Sequence, residues 1–298
     1  MKKMFSSKFL FAGKTVLVKT NNKKMNQRIT CCFPEFESKN KPDLTLEYYF
    51  YEENSEANAN ILKNPVKVEE AIKTVMHKNK NLIKFELKKR KKKLVSGFLD
   101  LKKKQGKMEI RTNKSFFLRF FVFNMAKCIA IYLNDFKGNI IHSSAMAKNG
   151  KGFLFSGKDE GGKTTVLRLC PEGIELGDDL NFLFKKGKKF FIQSFPLVLD
   201  PININKHSAK HFELKAIFMI NKSKKLKLKK ATKIQSMIKL IENDIQGTCK
   251  FQNIKTKQRL SLYEELLSSV PVFFLHFPIQ QNLWKKIEAK LKKEIALK

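Results

Sequence analysis

A short glycine-rich segment with one lysine and two threonines lies between two apolar runs of the chain. Its sequence, GKDEGGKTT at residues 157–165, fits the P-loop (Walker A) pattern Gly-x-x-x-x-Gly-Lys-[Ser/Thr]. In that pattern the backbone amides of the loop surround phosphate oxygens, the lysine reaches the outer phosphates and the hydroxyl binds Mg²⁺. The segment therefore predicts a binding site for a nucleotide such as ATP together with Mg²⁺.

The residues of this loop have separate expected roles. Lys163 would reach the β- and γ-phosphates, and the Thr164 hydroxyl would ligate Mg²⁺, while Thr165 would donate to the α-phosphate or simply pack. Glycines allow backbone conformations that a side chain would forbid, so they let the amides approach the phosphates. The residues predicted to contact the nucleotide are Gly157, Lys158, Asp159, Glu160, Gly161, Gly162, Lys163, Thr164 and Thr165.

Two aspartates follow the loop, in the sequence LGDD, where a predicted strand ends. Asp178 and Asp179 would then lie beside the phosphate loop. Phosphotransfer needs one carboxylate that holds Mg²⁺ and one that accepts the proton of the attacking hydroxyl. The sequence leaves open which aspartate has which role, and a turn pair that caps the next element is the alternative interpretation.

The loop is flanked by the elements that such a site requires. An apolar strand, FLFSG, enters it, and GKTTVLRLC leaves it as a helix that Pro171 and Gly173 would end. The apolar run LKAIFMI (214–220) predicts a buried strand, and PVFFLHFP (271–278) predicts a final one. Residues 231–243, 257–270 and 281–297 predict helices, the last with Trp284, Ile287, Leu291 and Ile295 on one stripe. We expect that last helix to dock on the domain, with a membrane-surface or partner helix as the alternative.

The order of these motifs resembles the HPr kinase-like family over about residues 114–290. The segments that carry the resemblance are IIHSSAMAKNGKGFLFSGKDEGGKTT, then ELGDD, then FFIQSFPL. The resemblance implies an α/β (α+β) fold with a mixed-sheet P-loop kinase core of the phosphoenolpyruvate carboxykinase type. It implies ATP and Mg²⁺ as cofactors, a cytoplasmic kinase, and a homo-oligomer as one possible assembly. It also implies catalytic roles for His142, Lys163, Asp178 and Asp179.

His142 depends on this resemblance. A histidine on a strand is ordinarily a core residue whose ring is hydrogen-bonded, and that interpretation applies to the chain's other four histidines. In the HPr kinase-like family a histidine at the start of the hairpin before the loop lies near the transferred phosphate, and His142 matches its position.

The sequence departs from the family pattern in two places. Asp159 and Glu160 stand where the family usually has Ser-Gly, and no Glu-x-Arg-Gly-x-Gly segment follows the acidic pair. Because that segment is missing, we expect an acceptor other than HPr, namely a hydroxyl group of an unidentified protein, peptide or small molecule. The alternative is a catalytically degenerate nucleotide-binding module that acts as a switch or scaffold.

A β-rich region precedes the predicted kinase core. The segments KTVLVKT, LTLEYYFYEE, NLIKFELKK, KLVSGFLDL and KMEIRT alternate or are rich in β-formers, and a short helix is predicted near residues 67–77. We therefore predict a β-rich N-terminal region over residues 1–112 and a kinase-like domain over residues 113–298.

The formal net charge of the 298-residue chain is +34, which suggests nucleic acid or an anionic membrane as a partner. Only six of the 61 basic residues are arginine, the usual reader of bases and phosphates, and the lysines accompany abundant Asn, Ile and Phe. We therefore interpret the charge as a solvated lysine-rich surface, with polyanion contact as the alternative.

The most apolar segment, residues 115–133, raises the question of a membrane span. Arg119, Asn124 and Lys127 would fall on one side of a helix there, which indicates an amphipathic or buried helix and no transmembrane segment. The five cysteines have no metal-ligand spacing, and such usage fits a reducing cytosol.

Overall fold

The computed structural model describes residues 3–52, 73–76, 81–89, 92–112, 117–157, 161–195, 209–244 and 256–296. Within these ranges the chain forms two mixed β-sheets and six α-helices, which confirms the mixed α/β class. The chain divides into two compact units, the first built mainly from residues Met1–Leu133 and the second mainly from residues after Leu133. The division into domains 1–112 and 113–298 stays a prediction, because these units are defined by packing alone.

The first unit contains a seven-stranded sheet whose strands bury alternate residues. In the strand Leu44–Glu52, for example, every second side chain is buried, so one face of the sheet forms the core. The elements are β1 (Phe5–Phe11), β2 (Lys14–Thr20), α1 (Lys23–Cys32), β3 (Leu44–Glu52), β4 (Lys73–Met76), β5 (Leu82–Lys89), β6 (Lys92–Asp100), β7 (Gln105–Thr112) and α2 (Phe117–Leu133). The order is β1-β2-β3-β7-β6-β5-β4, with β3 parallel to β2 and β7 and the other pairs antiparallel.

The prediction of a short helix near residues 67–77 is wrong for residues 73–76, the part of this segment that the structure describes. Residues Lys73–Met76 form β4, which pairs with β5 through the register Lys73–Glu86 to Met76–Ile83. Residues 67–72 and 77 lie outside the described residues. Cross-strand pairing thus prevails over a local helical pattern.

The sequence allowed either an amphipathic or a buried helix at residues 115–133, and α2 is a buried helix. Asn124 and Lys127 are both fully buried, so the side that carries them does not face water. The Tyr48 hydroxyl donates a hydrogen bond of 3.0 Å to Asn124 Oδ1, so the buried side-chain oxygen of Asn124 has a hydrogen-bond partner. In the described part of the chain, no helix combines the length and the apolar character that a membrane crossing requires.

The second unit is built on another seven-stranded mixed sheet. The elements after Asn134 are β8 (Gly138–Lys148), β9 (Lys151–Ser156), α3 (Lys163–Arg168), β10 (Ile174–Lys186), β11 (Lys189–Ser194), β12 (His211–Lys222), β13 (Lys227–Lys230), α4 (Lys233–Asn243), α5 (Thr256–Ser269), β14 (Val272–Phe277) and α6 (Leu283–Ala296). The strand order is β11-β10-β8-β9-β12-β14-β13, and β11 also pairs with β12. Strands β9, β12 and β14 are parallel, so their carboxyl ends meet at one edge, where ligands bind in open α/β sheets.

Apolar clusters cover both faces of this sheet, because neighbouring residues of a strand point to opposite sides. Leu154 packs in the cluster with α4 and α5, whereas Phe155 packs in the other cluster, with α3 and α6. In α6, Trp284, Ile287 and Leu291 are buried in that second cluster, so the helix docks on the domain as expected. The side chain of Ile295 lies outside the described residues.

A buried polar network anchors the first residues of β8 to α5. The Asp244 carboxylate accepts hydrogen bonds from the Arg259 guanidinium, at 2.6 and 3.0 Å, and from the Tyr263 hydroxyl at 2.9 Å. The side-chain amide of Asn139, on β8, donates to Tyr263 Oη at 2.9 Å. Burial and the neighbouring Asp244 carboxylate raise the pKa of Tyr263 well above its ordinary value.

Candidate functional site

The predicted phosphate loop leaves β9 at the edge where the parallel strands end. A Cβ added to Gly157 would lie 2.9 Å from Cγ1 of Ile220, so a side chain does not fit there. Gly162 has a φ of 101° and precedes α3, and an added Cβ would lie 2.9 Å from Cζ of Phe277. Close packing against Ile220 therefore requires glycine at 157, whereas both the positive φ and close packing require it at 162. Lys158, Asp159 and Glu160 lie outside the described residues.

Lys163 begins α3, and its side chain folds back over the loop. Its Nζ donates to the carbonyl oxygen of Gly157 at 3.3 Å, which is a long hydrogen bond. Its own carbonyl oxygen accepts from the Ser144 hydroxyl at 3.0 Å, which fastens the start of α3 to β8. Thr164 and Thr165 follow in the first turn of the helix.

The two aspartates lie on β10, two strands away from the strand that enters the loop. Asp179 pairs with Ser143 of β8, and Ser143 in turn pairs with Ser156 of β9. Two strand spacings amount to about 10 Å, a distance that phosphate groups and a metal ion can bridge.

The strand does not end at the aspartates, so that prediction is wrong. β10 continues to Lys186, because its pairing with β8 runs without interruption from Gly177 to Phe184. A β-bulge lies between Glu175 and Gly177, just before the acidic pair. Bulges redirect the side chains that follow them, and they are common beside active sites.

Both aspartates line the same cleft although they are consecutive in a strand. In a regular strand their side chains would lie on opposite faces of the sheet. Asp179 has a φ of 117°, a conformation that non-glycine residues rarely adopt. This local distortion accounts for the shared orientation, and it carries a conformational cost of about 1–3 kcal/mol.

The imidazole of His142 contacts the Asp179 carboxylate. Its Nε2 lies 2.7 Å from Asp179 Oδ1, and the two side chains are 19% and 44% exposed. The Asp178 carboxylate, by contrast, forms no ion pair or side-chain hydrogen bond with any residue that the structure describes. The two aspartates are thus chemically different: one is held by an imidazole and the other is uncommitted within the described chain.

Buried polar groups support the strands beneath this pair. The side-chain amide of Asn181 donates to the carbonyl oxygen of Ser143 at 2.7 Å and to that of Gly177 at 3.3 Å. The Ser156 hydroxyl donates to the carbonyl oxygen of His142 at 3.3 Å. These contacts fix β8, β9 and β10 at the point from which the site residues project.

One cleft of about 390 Å³ gathers these side chains, a volume within the range of ligand sites. Residues from the loop helix, β8 and β10 line it together, so the structure brings together sequence-predicted residues from three separate segments. Gly157 and Gly161 are described but do not line the cleft. Its lining residues are His142, Gly162, Lys163, Thr164, Thr165, Asp178, Asp179 and Lys222.

Lys222 is the lining residue that the sequence analysis missed. It ends β12, directly after the apolar run LKAIFMI. A buried strand that turns polar at its carboxyl end delivers side chains to the ligand edge of the sheet. Applied to β12, this rule places Asn221 and Lys222 at the ligand edge from the sequence alone.

A second cleft, of about 540 Å³, lies near the amino end of β14 and contains none of the predicted site residues. Its lining includes Lys215, Lys230 and Lys233 over an apolar floor.

The oxygen donors of the smaller cleft fit Mg²⁺. The Thr164 hydroxyl and the carboxylates of Asp178 and Asp179 are hard ligands, and Mg²⁺ commonly binds one or two carboxylates with substrate phosphates as further ligands. Across the described ranges, no group of three or more His, Cys, Asp or Glu side chains is placed to hold a metal ion.

Comparison with known proteins identifies the family. The family model described as SynChlorMet cassette protein ScmC matches residues 109–292, which is more than half of the chain. The chain belongs to the ScmC family. The ScmC match begins within β7 and ends within α6, so it includes every predicted site residue. None of the curated proteins matches the chain.

One similar solved structure is the HPr(Ser) kinase/phosphatase from Coxiella burnetii. It has a TM-score of 0.30 and 12% sequence identity, and the match covers 53% of this chain and 96% of that chain. A likeness at this TM-score carries no argument about fold or function, and the family model that matches is ScmC. The HPr kinase-like resemblance stays a prediction.

Proposed function

We propose that the chain is an ATP-dependent phosphotransferase that moves the γ-phosphate to a hydroxyl group of a protein, peptide or small molecule. The observation that carries the proposal is the cleft in which Lys163, Thr164, the two aspartates and His142 lie together. A cation, a hydroxyl and two carboxylates around one cavity are the groups that phosphotransfer requires. The P-loop kinase core of the phosphoenolpyruvate carboxykinase type, and the catalytic roles of these residues, form part of the same proposal.

Lys163 binds the outer phosphates of ATP. Its 3.3 Å hydrogen bond to the Gly157 carbonyl oxygen is long and therefore weak. A phosphate oxygen offers Nζ a charge-assisted hydrogen bond that is roughly twice as strong as a neutral one. ATP thus draws the ammonium group from the loop carbonyl to the phosphates, with Thr165 as a further donor.

Asp178 and Thr164 are the residues that would hold Mg²⁺. The Asp178 carboxylate is the one without a side-chain partner among the described residues, so it can bind a cation without giving up a contact such as the one between Asp179 and His142. Bound Mg²⁺ would neutralise negative charge on the phosphates.

Asp179 accepts the proton of the attacking hydroxyl. The hydroxyl oxygen forms a bond to the γ-phosphorus, the bond from that phosphorus to the bridging oxygen breaks, and ADP leaves. The released proton passes to the Asp179 carboxylate, which the 2.7 Å contact with His142 Nε2 holds in position. The strained backbone of Asp179 serves the same end, because it turns the carboxylate into the cleft.

The test is transfer of label from γ-labelled ATP to components of a cell extract in the presence of Mg²⁺. We expect Lys163→Ala to lower the labelling by about 100-fold or more, because a preorganised charge on the transferring group is lost. Lys151→Ala, at the exposed start of β9, is the matched control and should label normally. Equal labelling by wild type and Lys163→Ala would refute the proposal. ATP binding without any transfer would instead identify a nucleotide-binding module.

A further inference from the structure

Lys222 lies at the end of β12, at the rim of the candidate site. It is the last residue of β12, and it pairs in register with Phe277, the last residue of the parallel neighbour β14. Its side chain lines the 390 Å³ cleft beside Lys163 and the two aspartates. A cation at the carboxyl edge of parallel strands lies where anionic ligands of such sheets bind.

The stem of Lys222 lies against the phosphate loop. Its Cγ and Cε lie 3.3 and 3.0 Å from the position that a Cβ on Gly162 would take. The Cζ of Phe277, a buried aromatic residue, lies 2.9 Å from the same position. The aliphatic stem of a lysine can pack against apolar surface while its ammonium group stays in water. Lys222 is therefore partly ordered before a ligand binds.

The charge of Lys222 is available for a ligand. Within the described part of the chain, its ammonium group forms no ion pair, although Asp178 and Asp179 line the same cleft. Many other lysines of the second unit are committed: Lys137 and Lys185 bind Glu265, and Lys189 binds Glu213. A cation without a carboxylate partner at a cleft rim favours binding of an anion.

We propose that Lys222 is a second phosphate-binding cation of the site, which contacts the β- or γ-phosphate of ATP from β12 while Lys163 contacts them from the loop. This inference rests on the proposed function. The proposal gives a second reason why residue 162 is glycine. Besides the φ of 101°, a Cβ at this position would displace the Lys222 stem. The proposal also gives a chain with Asp159 and Glu160 in its loop a further positive charge near the phosphates.

The test is direct titration of the full chain with ATP, ADP and AMP, each with Mg²⁺. Lys222→Met keeps the length of the stem and removes the charge, and we expect it to weaken ATP binding by about 10- to 100-fold, as loss of a hydrogen bond to a charged group does. AMP binding should be unchanged, because AMP lacks the β- and γ-phosphates. Lys222→Arg, which keeps the charge, should recover most of the affinity.

Lys225→Met is the matched control, since Lys225 is exposed, three residues further on, and does not line the cleft. It should bind ATP as the wild type does, and an unchanged melting temperature of each variant will show that it is folded. If Lys222→Met binds ATP as tightly as the wild type while the wild type still transfers phosphate, the Lys222 proposal is overturned and the proposed function stands. If Lys222→Met weakens ATP and AMP equally, the contact is not with the outer phosphates and the proposal also fails. Absence of ATP binding by the wild type would overturn both.

Discussion

The unusual backbone of Asp179 gives a prediction that does not depend on knowing the substrate. Replacement of Asp179 by glycine should yield a more stable protein than replacement by alanine. Both variants lose the 2.7 Å contact with His142, so that contact cancels in the comparison. What differs is the φ of 117°, which glycine adopts freely and alanine does not.

The size of the difference follows from two opposing terms. Relief of the strained conformation favours glycine by about 1–3 kcal/mol. The greater flexibility of glycine in the unfolded chain favours alanine by about 0.5–1 kcal/mol. With mid-range values of about 2 and about 0.75 kcal/mol for the two terms, the glycine variant should be more stable by about 1 kcal/mol, which raises the melting temperature by roughly 2–4 °C in a protein of this size.

The assay is thermal unfolding of the four variants Asp179→Gly, Asp179→Ala, Asp178→Gly and Asp178→Ala. Asp178 is the internal control, because it neighbours Asp179 in the same strand and its φ is not positive. At Asp178 the usual order should hold, with alanine more stable than glycine. If Asp179 shows the same order as Asp178, its backbone is not strained, and the explanation for the shared orientation of the two carboxylates is refuted.

Two further predictions concern other parts of the second unit. Gly162→Ala should destabilise the protein more than Gly187→Ala does, by about 1–3 kcal/mol. Both glycines have a positive φ, but only a Cβ at 162 would meet neighbouring atoms. Equal losses of stability in thermal melts would contradict the close packing at Gly162. Hydrogen bonds from Lys137 and then Lys185 lower the pKa of Glu265 from its ordinary 4.5, so these contacts stabilise the fold above that pH and the benefit is lost as the pH falls through the lowered pKa. The three side chains are about one-third exposed, so Glu265→Gln should lower the free energy of unfolding by only about 0.2–1 kcal/mol at neutral pH. In urea unfolding, this difference in stability from wild type should vanish in acid. A difference that persists in acid would exclude the ion pairing.

The site could be predicted from the sequence where residue type alone fixes the local structure. The glycines and Lys163 fall in a strand–loop–helix pattern whose spacing is set by backbone geometry, and the structure places Lys163 and Thr164 in the cleft. Burial of Trp284, Ile287 and Leu291 in α6 was likewise predictable, because the apolar residues recur with the helical period.

Other features depend on contacts between residues far apart in the sequence. The aspartates lie within a long strand because β8 pairs with β10 on both sides of them, and no local pattern reveals that pairing. Lys222 joins the site only because β12 lies beside β9, which brings its last residue to the loop. These are tertiary effects that single-sequence patterns do not contain.

One local signal was ambiguous in itself. Asn21 and Asn22 are typical of a turn, yet the Asn22 side chain accepts a hydrogen bond of 3.0 Å from the backbone amide of Met25 and caps α1. Asparagine stabilises turns and helix amino ends by the same hydrogen bonding to nearby amides. Only the residues that follow decide between the two: Met25 and Ile29, at helical spacing, are both buried.

The measurement that tests the nucleotide site most directly is calorimetric titration of ATP, with and without Mg²⁺, into wild type, Lys163→Ala and Asp178→Asn. The wild type should bind ATP, and Mg²⁺ should tighten that binding. Lys163→Ala should lose most of the affinity, and Asp178→Asn should bind ATP but lose the effect of Mg²⁺. ATP binding that is indifferent to both substitutions, or no binding by the wild type at all, would show that the cleft does not hold a nucleotide.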